Sequence, residues 1–171
     1  MECCQVEFFE LIERRKSVRK YKSDPVPREA IIKVLEAARI APSGGNRQPW
    51  HFIVIQDEGM RAALAGGQGW AAKAPVMIVG LVDRRTQASY YYNDMGVAFE
   101  HLVLAAADLG LGTCWMGMMR RNEEARGLLG VPEELEVIVQ TPLGYPDEEP
   151  APRGRKPLAE IVSWEKFGQR G

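Results

Sequence analysis

Histidine and cysteine are scarce in this sequence, which has two histidines and three cysteines among 171 residues. Cys3 and Cys4 are adjacent and Cys114 makes the count odd, which is a poor framework for disulfide bonds. Neither His51 nor His101 lies in a recognisable catalytic motif. A metal site, a Ser-His-Asp triad and a Cys-His nucleophile are therefore poor candidates, and we expect no bound metal. Any enzymatic chemistry is expected to come from a cofactor.

Long apolar runs are also absent, since none reaches the roughly 18–20 residues that a membrane span needs. Residues 1–7 lack the cationic lead and apolar stretch of a signal peptide, so we expect a cytoplasmic protein with no membrane partner. A net charge of −1 and a pI of about 6.2 leave no basic face for nucleic acid. No Gly-x-Gly-x-x-Gly fingerprint follows a strand, so no separate dinucleotide-binding domain is expected. The length predicts one domain over residues 1–171, in which residues 146–171 form a proline-rich extended arm.

Hydrophobic periodicity and turn residues predict helices interleaved with strands in an irregular order. The predicted helices are 6–16, 27–38, 58–65, 94–109 and 121–129, and the predicted strands are 51–55, 74–82, 112–118 and 136–141. Residues 74–82 are continuously apolar, which indicates a strand buried on both faces. Asp94 is expected to cap the longest helix, whose nearly all-round apolar surface suggests a subunit interface. The pattern favours an α+β fold with a sheet between helices and some antiparallel pairing.

Two clusters of cations stand out in a chain that is nearly neutral. Residues 14–19 read Arg-Arg-Lys-Ser-Val-Arg, and residues 153–156 read Arg-Gly-Arg-Lys. Guanidinium groups form bidentate, charge-assisted hydrogen bonds with phosphate oxygens, so together the clusters predict a phosphate site. The alternative is a solvated helix end, where cations interact favourably with the helix dipole.

A loop rich in proline and glycine lies between the first two predicted helices and the first strand. Residues 41–50 contain two prolines, two glycines and several small polar side chains, a composition that holds neither a helix nor a central strand. Small residues let the backbone approach a flat ligand closely. An ordinary surface loop is the alternative interpretation.

Four stretches, taken in order, resemble the FMN-dependent nitroreductase family in a short form. They are residues 14–21, 41–52, 109–117 and 144–158, so the resemblance spans essentially the whole chain. The resemblance implies a three-layer α+β sandwich with a mixed, largely antiparallel sheet flanked by helices. It also implies an intertwined homodimer with two FMN sites, each built from both subunits.

The resemblance further implies which residues contact each part of FMN. The phosphate would be bound by Arg15, Ser17, Arg153 and Arg155. The N1 and O2 edge of the flavin would be met by Arg19, or by Lys16 through its backbone, with Gln68 presenting an amide to the polar edge. The partner subunit would supply the loop residues Pro42, Ser43, Gly44 and Asn46. The backbone near flavin N5 would be that of Trp115, Met116 and Gly117.

Residues next to these motifs are expected to have a structural role, or to fit a structural role and a site role equally well. Trp50 is expected in the core, His51 as a structural histidine with satisfied hydrogen bonds, and Cys114 as a buried, inert thiol. Met116 and Met118 suit core packing as well as a site. Residues 90–92 are three tyrosines that could line a substrate pocket or cover a dimer surface.

The family's activity would be an NAD(P)H-dependent oxidoreductase in which the cofactor does the chemistry and no protein acid or base is needed. Hydride would pass to flavin N5, and a nitroaromatic, quinone or flavin acceptor would then bind the same face in a ping-pong cycle. The short connections at 84–92 and 118–122 leave little room for a lid, which suggests an open site. The alternative is a flavin carrier or sensor dimer without turnover.

Overall fold

A computed structural model describes residues 7–86 and 90–170, so Cys3 and Cys4 lie outside the described residues. The helices are α1 (Phe8–Arg14), α2 (Arg28–Arg39), α3 (Glu58–Ala65), α4 (Gly69–Ala72), α5 (Tyr91–Asp108), α6 (Asn122–Leu129) and α7 (Leu158–Ile161). The strands are β1 (Trp50–Ile55), β2 (Val76–Asp83), β3 (Gly112–Thr113), β4 (Met116–Gly117) and β5 (Leu135–Gly144). Across the described ranges, no helix has the length and apolar character to cross a membrane.

The five strands form one sheet in the order β1-β2-β5-β3, and β4 also pairs with β5. Every strand pair named here is antiparallel, with Trp50 opposite Val82 and Gly80 opposite Val139. Helices α2 and α5 cover one face of the sheet, and α3, α4 and α6 cover the other. The α+β sandwich with an antiparallel sheet flanked by helices is therefore confirmed.

Strand β2 lies at the centre of both cores, and all eight of its residues are buried, as its apolar run predicts. The strand contains Gly80, where an added Cβ would lie 2.8 Å from Met95 Sδ and 3.0 Å from Val139 Cγ1. Such distances are shorter than packed carbon and sulfur atoms tolerate. A glycine is therefore needed here for α5 to pack directly on the sheet.

Helix α5 begins earlier than predicted, and Asp94 does not cap it. The helix starts at Tyr91, which puts Asp94 in its first turn, where the carboxylate accepts a hydrogen bond from the Gly44 N–H at 3.0 Å. The apolar surface of the helix is largely buried within its own subunit, against α2 and the sheet. Its burial therefore does not by itself require a second subunit, although Val97 stays 39% exposed.

The first helix is shorter than predicted because the basic segment leaves it to join the sheet. Helix α1 ends at Arg14, and Arg15 is already extended at φ −62° and ψ 115°. Ser17 forms a parallel bridge with Thr113, and the Val18 N–H donates to the Thr113 carbonyl at 2.9 Å. Main-chain hydrogen bonds to β3 thus outweigh the helical propensity of residues 15–16.

The interpretation of His51 as a structural histidine is wrong, because its side chain is exposed on the outermost strand of the sheet. Side chains alternate along a strand, and the neighbouring Trp50 and Phe52 face the core shared with α5. Trp50 and Cys114 are buried as predicted. Residues 151–170 are exposed throughout and contain only the four-residue α7.

Asp83, at the end of β2, gives the fold a predictable response to acid. Arg85 donates from Nε, Nη2 and its backbone N–H to the Asp83 carboxylate, and these bonds lower the carboxyl pKa from 3.8 to about 2. A carboxyl with a lowered folded-state pKa stabilises the fold fully above its unfolded pKa and loses that contribution as pH falls through the folded value. Asp83→Asn should therefore be less stable than wild type at pH 7, and urea titrations should show the gap closing between pH 3.8 and about 2. A gap that stays constant over this range would contradict the pairing.

Candidate functional site

The segment 15–19 is held against β3 by close main-chain contacts. Besides the bonds to Thr113, an added Cβ at Gly112 would lie 2.9 Å from the Cβ and both methyl carbons of Val18. The Tyr21 hydroxyl donates to the Val18 carbonyl at 2.6 Å, and burial raises the pKa of this phenol, which keeps it a neutral donor. The basic segment is therefore part of the sheet framework, not a frayed helix end.

The side chain of Arg15 is mostly buried yet weakly paired. It is 22% exposed, and its Nε lies 4.0 Å from Glu100 Oε1, which is longer than a hydrogen bond. Among the described residues no hydrogen-bond acceptor for this guanidinium is found. Arg14, in contrast, is 51% exposed and faces Glu10 across one helical turn. The free donors of Arg15 fit an anion such as a phosphate.

A cation–aromatic contact brings Arg19 to the turn that contains Gln68. The Arg19 Cζ lies 5.6 Å from the centroid of the Trp70 ring, within the range of a cation–π interaction. Gln68 is exposed two residues before Trp70. The carboxylate of Glu148 accepts hydrogen bonds from the N–H groups of Arg19 and Lys20, the latter at 3.0 Å. Two segments predicted to meet the polar edge of a flavin are thus adjacent.

Strand β4 offers an outward-facing backbone donor with open space around it. The Met118 N–H donates to the Ile138 carbonyl of β5 at 2.9 Å, so the alternation of strand hydrogen bonds turns the Gly117 N–H away from β5. Gly117 is exposed, and an added Cβ would meet no atom within 4 Å. A flat ring could therefore approach this backbone.

The side chains that flank Gly117 point elsewhere. Met116 is buried in the core beside α3 and α6, as its alternative role predicts, and Met118 is buried there too. Trp115 is 42% exposed and packs edge-on against Phe99, with ring centroids 4.9 Å apart. Any contact of these residues with a cofactor would therefore come mainly from the backbone.

The loop that contains Pro42, Ser43, Gly44 and Asn46 lies against the start of α5. Asp94 holds it through the Gly44 N–H, and the Ser43 hydroxyl accepts a hydrogen bond from the Gln48 N–H at 2.9 Å. Pro42 and Asn46 are exposed. Tyr90 and Tyr91 line a cleft of about 10 Å³ beside Gly44, which is too small for a substrate. The Tyr92 hydroxyl donates to Glu136 at 2.9 Å.

This loop is separated from the other predicted segments. Asp94 holds the loop and Glu100 lies beside Arg15; six residues of helix place them about 9 Å apart along the axis and about 120° apart around it. Among the described residues, no hydrogen bond or ion pair joins residues 42–46 to residues 15–19, 68 or 115–117. The basic segment thus lies beside β3 and the Trp70 ring, whereas the loop is held at the start of α5.

The second basic cluster is exposed, and in the described parts of the chain no hydrogen bond or ion pair joins it to the first. Arg155 Nη1 donates to the carbonyls of Arg153 and Gly154 at 3.1 and 3.2 Å. The start of the arm is nevertheless anchored near residues 19–22, because the Asp147 N–H donates to the Lys20 carbonyl at 2.9 Å. The five residue-to-residue steps from Glu148 to Arg153 can span about 17 Å. Convergence of the clusters on one phosphate remains a prediction.

Sequence reasoning missed three residues that fix these segments. Asp94 was interpreted as a helix cap, whereas it ties down the loop; Glu148 and Arg121 were given no role. Nothing local in the sequence signals the Glu148 contact, since its partner Lys20 is 128 residues away. In the two described ranges, no group of three or more His, Cys, Asp or Glu residues could hold a metal ion.

Comparisons with known proteins bear on the family and the fold. The sequence model of the Nitroreductase family matches residues 12–66 and 60–145. A protein of Archaeoglobus fulgidus, provisionally named NADH dehydrogenase/NAD(P)H nitroreductase, is 37% identical over 84% of this chain and 87% of its own. Iodotyrosine deiodinase 1 of Rattus norvegicus is 30% identical over 82% of this chain and 62% of its own.

Solved structures show the same fold. The FMN-dependent nitroreductase from Clostridium difficile R20291 superposes with a TM-score of 0.87 and 29% identity, covering 94% of this chain and 100% of its own. The family match includes the basic segment, the 42–46 loop, the Gln68 turn and β4. This chain therefore belongs to the nitroreductase family.

Proposed function

We propose that this protein is an FMN-dependent oxidoreductase that uses NAD(P)H to reduce nitroaromatic, quinone or flavin acceptors in a ping-pong cycle. The observation that carries the proposal is the exposed Gly117 backbone, whose N–H faces away from the sheet near a basic segment with free donors. The family membership and the C. difficile FMN-dependent relative support it. We further propose that residues 1–171 form a single domain with an arm at 146–171, which works in the cytoplasm.

The described residues fit FMN part by part. Arg15 and Ser17 would bind the phosphate, with Arg153 and Arg155 arriving from the arm. Arg19 would stand at the N1 and O2 edge, where a cation stabilises negative charge on a reduced ring. Lys16 would add its backbone, and Gln68 its amide, to the same edge. The Gly117 N–H would donate to N5, beside the backbone of Trp115 and Met116.

FMN bound in this way supplies the hydride chemistry, since its N5 accepts hydride from NAD(P)H and its reduced ring returns electrons to an acceptor. The residues of the chain would bind FMN, orient its ring and polarise the ring through hydrogen bonds and nearby positive charge. The space in front of Gly117 is open, and donor and acceptor would use this same face in turn. This sharing accounts for the ping-pong order.

A homodimer completes the proposed site. Large apolar side chains are exposed on α1, where Phe8 and Phe9 are 62% and 78% exposed, and on the arm, where Trp164 and Phe167 are 61% and 103% exposed. Exposed apolar surface of this extent is typical of an interface. The separation of the 42–46 loop from the other segments supports its use by the partner subunit's site.

The visible spectrum tests the proposal. The purified protein, reconstituted with FMN, should show bound-flavin bands that bleach under anaerobic NADH or NADPH and return when a nitroaromatic or quinone is added. Absence of bound flavin would refute both the enzyme and the carrier. Bands that persist with both nicotinamides, while dithionite bleaches them, would favour the carrier or sensor.

The arm assignment has its own test. If Arg155 binds the phosphate, Arg155→Ala should weaken FMN binding roughly tenfold or more, since hydrogen bonds to charged groups contribute about 1.5–3 kcal/mol. Lys33→Ala, which removes an exposed cation from α2, should leave binding unchanged. Fluorescence titration of FMN with each variant measures the difference. Equal affinities would remove Arg155 from the phosphate site.

A further inference from the structure

Two side chains from different elements converge on one carbonyl at the end of α3. The Leu64 carbonyl accepts hydrogen bonds from Arg121 Nη1 at 2.8 Å and from Gln140 Nε2 at 2.9 Å. A carbonyl oxygen has two lone pairs, and both are used here. Arg121 lies just after β4, and Gln140 is the residue of β5 that pairs with Met116. The carbonyl therefore links the end of α3 to the turn that follows β4 and to the strand that pairs with β4.

Arg121 is held in one orientation by all the groups around it. Its Nε and Nη2 donate to the two carboxylate oxygens of Glu124 at 2.8 and 2.6 Å, and Nη2 also donates to the Ala63 carbonyl at 3.2 Å. Arg121 thus satisfies carbonyls that every helix leaves unpaired at its C-terminus. Gly66, which follows α3 at φ 58°, leaves room for the guanidinium, since an added Cβ would lie 2.0 Å from Arg121 Nη1.

Gln140 is fully buried, yet only half of its amide is satisfied. Its Nε2 binds the Leu64 carbonyl, while its Oε1 has no partner among the described residues. A buried unsatisfied acceptor is destabilising, so stability alone does not explain an amide at this position. The amide provides the bond to Leu64 and a 3.9 Å contact between Nε2 and Met116 Sδ on β4.

The carbonyl that these residues hold lies close to the start of a glycine-rich turn. Ala65 separates Leu64 from the turn at residues 66–69, which contains three glycines and Gln68. The turn has two glycines at positive φ, and the Gln68 N–H donates back to the Ala65 carbonyl at 3.1 Å. The placement of Gln68 thus depends on where α3 ends.

We propose that Arg121 and Gln140 are positioning residues that fix the Gln68 turn relative to β4, and so set the spacing between the amide at the flavin edge and the Gly117 N–H. This inference rests on the proposed function. It assigns no contact with FMN to either residue. Both act through the Leu64 carbonyl.

The test compares Arg121→Lys with Arg39→Lys. Arg39 forms the same i,i+3 bidentate pair, with Glu36, but without bonds to main-chain carbonyls. Lysine keeps the charge and loses the fork that binds Glu124 and Leu64 together. Gln140→Met provides an unbranched apolar side chain of similar length without the bond to Leu64. Urea titration measures the stability of each variant.

Two readouts separate positioning from stability. Hydrogen–deuterium exchange of residues 66–70 should speed up in Arg121→Lys and Gln140→Met, but not in Arg39→Lys. Affinities for FMN and for lumiflavin, which has the ring without the phosphate, should fall by the same factor in both site variants, roughly tenfold for one misplaced hydrogen-bonding group. Unchanged exchange and unchanged lumiflavin affinity, in variants that fold, would overturn the inference.

Failure of the proposed function gives a different result. Wild-type protein that binds neither FMN nor lumiflavin would refute the flavin site itself and, with it, the spacing role. Wild-type binding together with site variants that match Arg39→Lys in both readouts would refute only the inference.

Discussion

Arg15→Gln is expected to weaken FMN binding by about a hundredfold and to leave riboflavin binding almost unchanged. The guanidinium is mostly buried, 4.0 Å from its nearest carboxylate oxygen, so its donors are available to a phosphate. Glutamine keeps a polar side chain but loses the charge and the bidentate fork. Riboflavin lacks the phosphate, so its affinity reports only the ring contacts. Fluorescence titration with both flavins measures the two effects.

The neighbouring arginine provides the control. Arg14 is 51% exposed and lies 3.8 Å from Glu10, an arrangement typical of a solvated surface pair. Arg14→Gln should leave the affinity for FMN within about twofold of wild type. An equal loss in the two variants would mean that the cluster acts only through its total charge, and would contradict the assignment of Arg15.

Gly112→Ala is expected to lower the free energy of unfolding by about 1–3 kcal/mol and to weaken FMN binding at least about tenfold. The new Cβ would lie 2.9 Å from three carbons of Val18, so the segment 15–19 must move away from β3. That movement shifts Ser17 and Arg15 together. Urea titration gives the stability, and FMN titration gives the affinity.

Gly127→Ala is the matched glycine variant. Gly127 lies inside α6, and an added Cβ would meet no atom within 4 Å. Alanine has the higher helix propensity, so this variant should be more stable by about 0.5–1 kcal/mol, with unchanged FMN affinity. Full FMN affinity in Gly112→Ala would show that the close approach of Val18 to β3 does not matter for the site.

The features that could be predicted from the sequence are those set by neighbouring residues. The continuous apolar run of β2 correctly predicted that the strand is buried. Helix α5 ends close to the predicted residue, just before Gly110, which has a φ of 71°. The segments of the candidate site were found from short motifs. In each case the residues whose pattern made the prediction are the same residues that form the predicted element.

The failures arose where a distant partner decides the conformation. Arg15 leaves the helical region because Ser17 pairs with Thr113, almost a hundred residues away in the chain. Asp94 suits a helix cap by local pattern, but its carboxylate instead accepts a hydrogen bond from the Gly44 N–H and so tethers the loop. In the sequence, Arg121 is an ordinary cation at the start of a helix. Its hydrogen bond to the Leu64 carbonyl exists only because α3 packs beside it in the folded chain. Such contacts have no local signature.

The site's dependence on two subunits is the central claim, and subunit mixing tests it most directly. One variant is Arg15→Gln. The other is Pro42→Trp, which places a bulky side chain on an exposed residue of the loop that is proposed to meet the partner's flavin. Each homodimer should bind FMN weakly, because both of its sites contain one defect.

Mixed dimers contain one subunit of each variant, and two different affinity tags allow them to be purified. In such a dimer both substitutions fall in the same one of the two sites. The other site is then intact, so the mixed dimer should bind one FMN with wild-type affinity. Mixed dimers that bind FMN no better than either parent would contradict a site shared between subunits, and would place the loop in the same subunit's site as Arg15.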